Sequence, residues 1–173
     1  MIVPLIIAAI ETRPGWGRIL LSCCPGRSDL DHDLAIDLEI LGMQHVSAVV
    51  TLCDDDELDE LEVSGLGIAV RNAGMAWFHL PFDNYCVPEP HWEDEWLDQG
   101  PKVRALLRAG ENVHIHCRAG CGRSGLLAAR LLVELDLCGP EEAISRVRLA
   151  RPCAIEREEQ EDVVYATRPI TDR

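Results

Sequence analysis

Cys117 and Arg123 are separated by five residues in segment 116–124, His-Cys-Arg-Ala-Gly-Cys-Gly-Arg-Ser, and this spacing predicts a phosphoryl-transfer site. An apolar run leads into the segment and a helical run leads out, which predicts a cysteine at a strand end, on a tight loop that opens a helix. Loop amides at a helix N-terminus bind anions and favour a thiolate over a thiol. Five intervening residues let the chain curl around a tetrahedral anion, and a planar guanidinium can hold two of its oxygens.

The residues around this spacing have expected roles. Cys117 is the expected nucleophile, forming a cysteinyl-phosphate that water then hydrolyses. Loop amides and the guanidinium stabilise the transferring group without a metal or other cofactor, so the expected phosphate-binding residues are Arg118, Ala119, Gly120, Cys121, Gly122 and Arg123. Ser124 is expected to donate a hydrogen bond to the leaving sulfur or to cap the following helix, and the two roles are compatible. His116 is expected to orient the loop by hydrogen bonding to backbone.

Length and charge restrict the function classes. The chain has 173 residues, 47% of them hydrophobic, which fits a single domain over residues 1–173. The net charge of −14 argues against nucleic-acid binding and against docking on anionic membranes. The expected partner is therefore a phosphorylated protein or small phosphomonoester, and the sequence carries no signal for an oligomeric state.

Cysteine usage and the N-terminal stretch predict a cytoplasmic location. The 8 cysteines include no Cys-x2-Cys pair, which favours reduced thiols in a reducing compartment. Residues 2–10 are apolar but lack a basic start, contain Pro4 and are too short to span a bilayer. We therefore expect a first buried strand there rather than a signal peptide.

Hydrophobic patterning predicts an α/β fold with a central, mostly parallel sheet flanked by helices. Strands are predicted at residues 3–10, 18–22, 46–52, 75–80 and 113–116. Helices are predicted at residues 31–41, 57–61, 65–73, 93–108, 124–137, 140–150 and 156–168. The reactive loop then follows the carboxyl end of a strand, where open α/β sheets bind their ligands. The acidic run 53–60 is expected to be a solvated helix start rather than a metal site.

Segment 116–124 resembles the signature of the cysteine-based protein tyrosine phosphatase superfamily, Cys-x5-Arg followed by Ser or Thr, in its dual-specificity branch. Further blocks fall in the order seen in phosphatases like the cyclin-dependent-kinase-inhibitor-associated phosphatase, and the resemblance covers roughly residues 18–168. These blocks are Cys24-Pro-Gly-Arg27, Val49-Val-Thr-Leu52 with Glu57, His79-Leu-Pro-Phe-Asp83, and Arg151-Pro-Cys-Ala-Ile-Glu156 with Gln160. The resemblance implies a metal-independent phosphatase acting on phosphotyrosine, phosphoserine or phosphothreonine.

The resemblance also implies a general acid, an Asp on a mobile loop that protonates the leaving group. Related loops read Pro-Ile-x-Asp, but this chain reads Pro81-Phe-Asp-Asn-Tyr, which places Asn84 at the position of the acid. An amide cannot supply a proton. We therefore expect Asp83 to serve. The alternatives are that another carboxylate such as Glu89 or Asp94 serves, or that the enzyme is slow with poor leaving groups. Two other functions stay open: a phosphate-binding pseudophosphatase or adaptor, and a phosphatase of a nonprotein phosphomonoester.

Several residues outside the loop are candidates for supporting roles. Two cysteines are candidate redox partners of Cys117. Cys53 ends a strand predicted beside the strand that carries Cys117, and similar lipid phosphatases use such a cysteine as a resolving thiol; an inert buried thiol is the alternative. Cys121 lies within the loop, but a bridge from it to Cys117 would distort the loop, so Cys53 is favoured. Arg27 is expected to bind substrate, contact a neighbouring loop or pair with an acidic neighbour. Gln160 is expected near the active site or on a helix surface. Trp92 and Trp96, four residues apart, are expected to pack beneath the acid loop.

Overall fold

The computed structural model describes residues 1–172 and confirms the predicted α/β class. The strands are β1 Ala8–Ile10, β2 Ile19–Ser22, β3 Val46–Thr51, β4 Ala76–His79 and β5 Asn112–His116. The helices are α1 Leu34–Met43, α2 Asp55–Glu60, α3 Leu66–Asn72, α4 Pro90–Arg108, α5 Gly122–Glu134, α6 Pro140–Ala150 and α7 Glu158–Ala166. Their order follows the predicted alternation of strands and helices.

The sheet has the order β1-β2-β5-β3-β4 and is parallel except for β1. β5 is therefore the central strand, with Thr51 of β3 and Ser22 of β2 paired with its last residue, His116. Strands covered on both faces consist of near-continuous apolar residues, and β2 and β3 follow this rule. The loop that follows β5 is consequently supported by a strand on either side.

Helix α5 anchors the other end of this loop. Twelve of its 13 residues are buried, and all but Arg130 face the interior. The helix is buried almost all round because it lies between the sheet and helices α6 and α7. The loop between β5 and α5 is thus attached at both ends to rigid, buried elements.

The expectation of a first buried strand over residues 3–10 is wrong. Only Ala8–Ile10 is a strand, and it pairs antiparallel to β2 at the edge of the sheet. Pro4 cannot donate to a strand ladder, and Ile2, Val3 and Ile6 lie on the surface, with Ile6 73% exposed. Only Leu5 and Ile10 of this stretch are buried.

Candidate active site

Cys117 lies directly after β5 and its side chain is only 2% exposed. Its Sγ is 3.1 Å from the Oγ of Ser124, in the first turn of α5. Ser124 is fully buried, so its hydroxyl is held against the sulfur rather than against solvent. A hydroxyl at this distance can donate to a thiolate, which is the geometry expected of a group that stabilises a leaving sulfur.

The carbonyls of the loop point outward. The carbonyl of Arg118 accepts from the amide of Cys24 at 3.1 Å and from Nη1 of Arg27 at 2.7 Å. The carbonyls of Ala119 and Gly120 accept from Arg151 at 2.8 Å and 2.6 Å. In a trans peptide the C=O and the following N–H point in opposite directions, so the next amides turn toward the inside of the loop.

These inward amides form a cradle for an anion. Among the described residues, the amides of Arg118, Ala119, Gly120 and Cys121 donate to no protein acceptor. Gly120 is required by this geometry, because its φ is +72° and a Cβ there would lie 2.1 Å from the carbonyl oxygen of Ser22. Successive unpaired amides in a concave loop are a known setting for phosphate binding.

Arg123 supplies the charge at this cradle. Its side chain is fully buried, and Nη1 and Nη2 each lie 2.7 Å from the carboxylate of Glu57 in a bidentate pair. Nη1 also donates to the carbonyls of Leu52 at 3.1 Å and Phe82 at 2.9 Å. Burial disfavours the charged guanidinium, but the hydrogen bonds to Glu57 and the attraction of nearby acidic groups together outweigh it and raise the pKa of Arg123, so the charge is permanent.

The Nε–H of Arg123 is buried and has no partner among the described residues. A buried donor without a partner is costly, so native structures leave few of them. Nη2 donates one of its two hydrogens to Glu57, so its second N–H and the Nε–H are the guanidinium donors left for a bound anion. This orphaned donor fits a phosphate in the cradle.

Glu57 is a site residue that the sequence patterns did not single out as the partner of Arg123. It belongs to a capping box at the start of α2: the Asp54 side chain accepts from the Glu57 amide, and the Glu57 side chain accepts from the Asp54 amide. The acidic run is therefore a helix start, as expected, but one member of it holds Arg123. The Asp-x-x-Glu pattern directly after β3 was the available signal.

His116 joins the loop to β3 and β4 through a chain of hydrogen bonds. Its Nδ1 lies 3.1 Å from the carbonyl of Cys117 and must donate, since a carbonyl only accepts. Its Nε2 then accepts from the hydroxyl of Thr51 at 2.7 Å, and that hydroxyl accepts from Nε1 of Trp77 at 2.8 Å. Burial lowers the pKa of His116, so the neutral tautomer that this chain requires is the stable form.

The loop expected to carry the acid touches Arg123 through the carbonyl of Phe82, immediately before Asp83. Asp83 is exposed and lines a cavity that Glu89 also lines. The side chain of Asn84 accepts from the amide of Tyr85 at 3.1 Å, so it is used within the turn. Asp94 is exposed on α4.

The two tryptophans lie beneath this loop, as predicted. Trp92 and Trp96 are buried and stack with centroids 5.3 Å apart, and Phe82 packs edge-on against Trp92. Nε1 of Trp92 donates to the carbonyl of Leu80 at 2.8 Å. The base of the acid loop is therefore fixed, while Asp83 remains in solvent.

Arg27 combines two of the roles considered for it, and Gln160 lies near the reactive loop. Arg27 forms a bidentate pair with Asp29 and also supports the reactive loop at the Arg118 carbonyl. Gln160 is fully buried rather than on a helix surface. Its amide donates to the carbonyl of Cys86 at 3.1 Å and accepts from the amide of Glu156 at 3.0 Å, which joins the acid loop to the segment before α7.

Cys53 is a free, buried thiol at the end of β3, and β3 does neighbour β5. A hydrogen bond with the thiol of Cys24, together with burial, raises the pKa of Cys53. A thiol attacks another sulfur as the thiolate, so this environment disfavours Cys53 as a resolving group. Its bridging to Cys117 stays a hypothesis.

The expectation that all the cysteines are reduced thiols is wrong for two of them. Cys121, inside the reactive loop, forms a disulfide with Cys153, which follows α6, at a Cα–Cα distance of 5.2 Å. The pair is 32 residues apart in sequence and lacks a recognisable spacing motif. The fold returns the segment after α6 onto the loop, and only this return brings the two sulfurs together.

Comparisons with known proteins agree with this geometry. A family described as "Tc-R-P: Polymorphic toxin system, DSP-PTPase phosphatase" matches residues 25–136. PRL-1 phosphatase of Drosophila melanogaster is 31% identical over 131 residues, covering 74% of this chain and 68% of the relative. Cyclin-dependent kinase inhibitor 3 of Rattus norvegicus is 28% identical over 124 residues, covering 71% of this chain and 57% of the relative.

Among solved structures, kinase associated phosphatase (KAP) with its catalytic-site cysteine replaced by serine has a TM-score of 0.82 at 25% identity, covering 94% of this chain and 93% of that one. The chain therefore belongs to the DSP-PTPase phosphatase family, the cysteine-based dual-specificity branch that the sequence predicted. It spans just over half the length of the rat relative, and 16% of a putative tyrosine phosphatase of Invertebrate iridescent virus 6. Within residues 1–172, no helix is long and apolar enough to cross a membrane.

Proposed function

We propose that this protein is a metal-independent phosphatase that hydrolyses phosphotyrosine, phosphoserine or phosphothreonine through a cysteinyl-phosphate. The observation that carries the proposal is the cradle, in which outward carbonyls turn the loop amides inward beside the buried, unpartnered Nε–H of Arg123. Donors fixed in this way stabilise the charge on a transferring phosphoryl group without reorganisation.

The first step uses Cys117 as the nucleophile. Its thiolate attacks phosphorus, the S–P bond forms, and the bond to the leaving oxygen breaks while Asp83 gives that oxygen a proton. Asp83 supports this role by its exposure beside Phe82, whose carbonyl is bonded to Arg123. Glu89 lines the same cavity and is the alternative acid.

The second step hydrolyses the intermediate. Water attacks phosphorus, the S–P bond breaks, and the sulfur leaves as a thiolate that the hydroxyl of Ser124 stabilises over 3.1 Å. The proton from water returns to the carboxylate of the acid, in keeping with acid and base roles exchanged between two half-reactions. Inorganic phosphate then leaves the cradle.

The two other functions have less support. Cys117, the cradle, Arg123 and Ser124 supply every group of the two steps except the acid, so Asn84 bears only on leaving-group protonation. A nonprotein substrate such as a lipid phosphate favours extra basic residues in the loop, and here Cys121 is instead held in a disulfide. The substrate class is therefore a phosphorylated protein, and a cytoplasmic location belongs to the proposal.

A substrate panel with wild type, Cys117→Ser and Arg123→Lys tests this function. Phosphotyrosine and phosphoserine/threonine peptides should be hydrolysed by wild type, with chelator present or absent. Both variants should lose nearly all turnover, since serine is a far weaker nucleophile and lysine lacks the planar fork. A metal requirement, or turnover retained by Cys117→Ser, would contradict the proposal.

A further inference from the structure

Residues 151–156, between α6 and α7, contact the reactive loop residue by residue; we call this segment the clasp. Arg151 donates to the carbonyls of Ala119 and Gly120. Cys121 is held twice, by the disulfide with Cys153 and by the amide of Ile155, which donates to its carbonyl at 3.3 Å. The side chain of Glu156 accepts from the amide of Gly122 at 3.0 Å. Four consecutive loop residues are thus each held by the clasp.

The clasp also packs closely against α5. A Cβ added at Gly125 would lie 2.8 Å from the Cβ of Ala154, and Ala154 and Ile155 are buried. Gln160 accepts from the amide of Glu156 and fixes the C-terminal end of the clasp. These contacts hold the clasp against α5 and fix its C-terminal end.

The loop depends on this support because its residues lack the backbone hydrogen bonds of a strand or a helix. Residues 117–121 belong to neither β5 nor α5. The outward orientation of the Ala119 and Gly120 carbonyls comes from one side chain, Arg151, and it is this orientation that turns the following amides inward. Fixing a binding loop in its bound conformation lowers the entropic cost of binding.

We propose that the clasp is the positioning element of the phosphate cradle and that its Cys121–Cys153 disulfide makes the cradle's affinity for phosphate depend on redox state. The inference rests on the proposed function, because it takes the cradle to be a phosphate site. In the oxidised form the loop is held covalently at its centre. In the reduced form Arg151 and Glu156 still contact the loop, but it gains conformations in which the amides diverge.

The reductant is a dithiol, either a small molecule or a protein. Its thiolate attacks one sulfur of the bridge, a mixed disulfide forms, and the second thiol of the reductant displaces it. The S–S bond takes up two electrons and two protons, giving two cysteine thiols, while the dithiol becomes a disulfide. Cys153 is exposed and Cys121 is 9% exposed, so Cys153 is the accessible sulfur. Disulfides are rare in the cytoplasm and there tend to be catalytic or redox-sensing, which fits a bridge at this position.

The test measures binding of inorganic phosphate and tungstate by calorimetry in a Cys117→Ser background, which removes the redox chemistry of the nucleophile. The oxidised protein should bind the oxyanions about tenfold more tightly than the dithiothreitol-reduced protein. Cys117→Ser/Cys153→Ser should bind weakly in both states. The matched control, Cys117→Ser/Cys138→Ser, changes a free cysteine outside the loop and the clasp and should keep the full redox response.

A second measurement separates positioning from general stability. With Cys117 intact, Cys153→Ser should raise KM for a phosphopeptide several-fold more than it lowers kcat, at an assay temperature well below both melting transitions. Equal oxyanion affinity in the two redox states, or a peptide map of oxidised protein without the 121–153 bridge, would overturn the inference. If the Cys117→Ser protein binds neither oxyanion in either state, the proposed function itself fails, which is a distinct result.

Discussion

The pair between Glu57 and Arg123 gives the sharpest mutational prediction. Glu57→Ala leaves the buried guanidinium of Arg123 with only the carbonyls of Leu52 and Phe82 as partners. Removing one member of a buried ion pair costs about 3–5 kcal/mol, because it leaves an uncompensated buried charge. The Glu57 side chain is 16% exposed and two carbonyl partners remain, so we expect the lower end, about 3 kcal/mol.

That loss should be visible in both stability and activity. For a domain of this size about 3 kcal/mol lowers the melting temperature by roughly 6–12 °C. The guanidinium also loses the partner that fixes its plane, so kcat/KM for an aryl phosphate should fall about 10²-fold, the scale of losing one well-placed charge donor. Chemical denaturation and steady-state kinetics measure the two effects.

Glu60→Ala is the matched control. Glu60 lies on the same helix and pairs with another loop arginine, Arg118, at 3.0 Å, but the Glu60 side chain is 65% exposed and that of Arg118 is 35% exposed. An exposed pair contributes roughly 0–1 kcal/mol, so this variant should stay within that range and keep its kcat/KM. If Glu57→Ala is no less stable and no less active than Glu60→Ala, the role given to Glu57 is refuted.

Three further predictions concern the acid, the buried histidines and the redox thiol. Asp83→Ala should slow hydrolysis of an alkyl phosphate about 10²-fold or more while barely affecting hydrolysis of a nitrophenyl phosphate. Asn84→Asp should speed hydrolysis of the alkyl phosphate if the natural loop is partly disabled. Equal, small effects of Asp83→Ala on both substrates would assign the acid to another residue. His114 and His116 are buried, and burial lowers the pKa of both in the folded state. The unfolded chain therefore binds more protons than the folded chain below about pH 6.5. The free energy of unfolding should fall by up to about 1.4 kcal/mol per pH unit for each histidine as the pH drops below that value. A denaturation series from pH 7 to about pH 5 measures this, and an unchanged slope in His116→Gln would contradict it. If Cys53 is a resolving thiol, the activity of Cys53→Ser lost to peroxide should not return with dithiothreitol, relative to an unoxidised sample treated with the same reductant. Equally complete recovery of activity, with no bridge between Cys53 and Cys117 in a peptide map, would reject this role for Cys53.

The sequence predicts those parts of the site that are local in the chain. Cys117, Arg123 and Ser124 lie within eight residues, and the loop chemistry follows from residue types and from the strand and helix around them. The parallel sheet and the position of the loop at a strand end follow from the alternation of apolar runs. The same local reasoning placed Trp92 and Trp96 beneath the acid loop.

What the sequence could not predict depends on residues distant in the chain. Glu57 is 66 residues from Arg123, and its acidic neighbours look like an ordinary solvated helix start. Cys153 pairs with Cys121 only because the chain returns after α6. The N-terminal run was misread because hydrophobicity alone does not tell an exposed edge from a buried strand. Pairings between distant residues, and the exposure of an edge strand, are both set by tertiary packing, which no short sequence pattern encodes.

The central claim is that catalysis proceeds through a phosphate bound to Cys117, and trapping that intermediate tests it most directly. Ser124→Ala removes the hydroxyl 3.1 Å from the sulfur, so it should slow the second step and make the intermediate accumulate. Acid quenching during turnover, followed by peptide mass spectrometry, should then find a phosphate adduct on Cys117 in Ser124→Ala and none in Cys117→Ser. An adduct on another residue, or turnover of Cys117→Ser at the wild-type rate, would contradict the account.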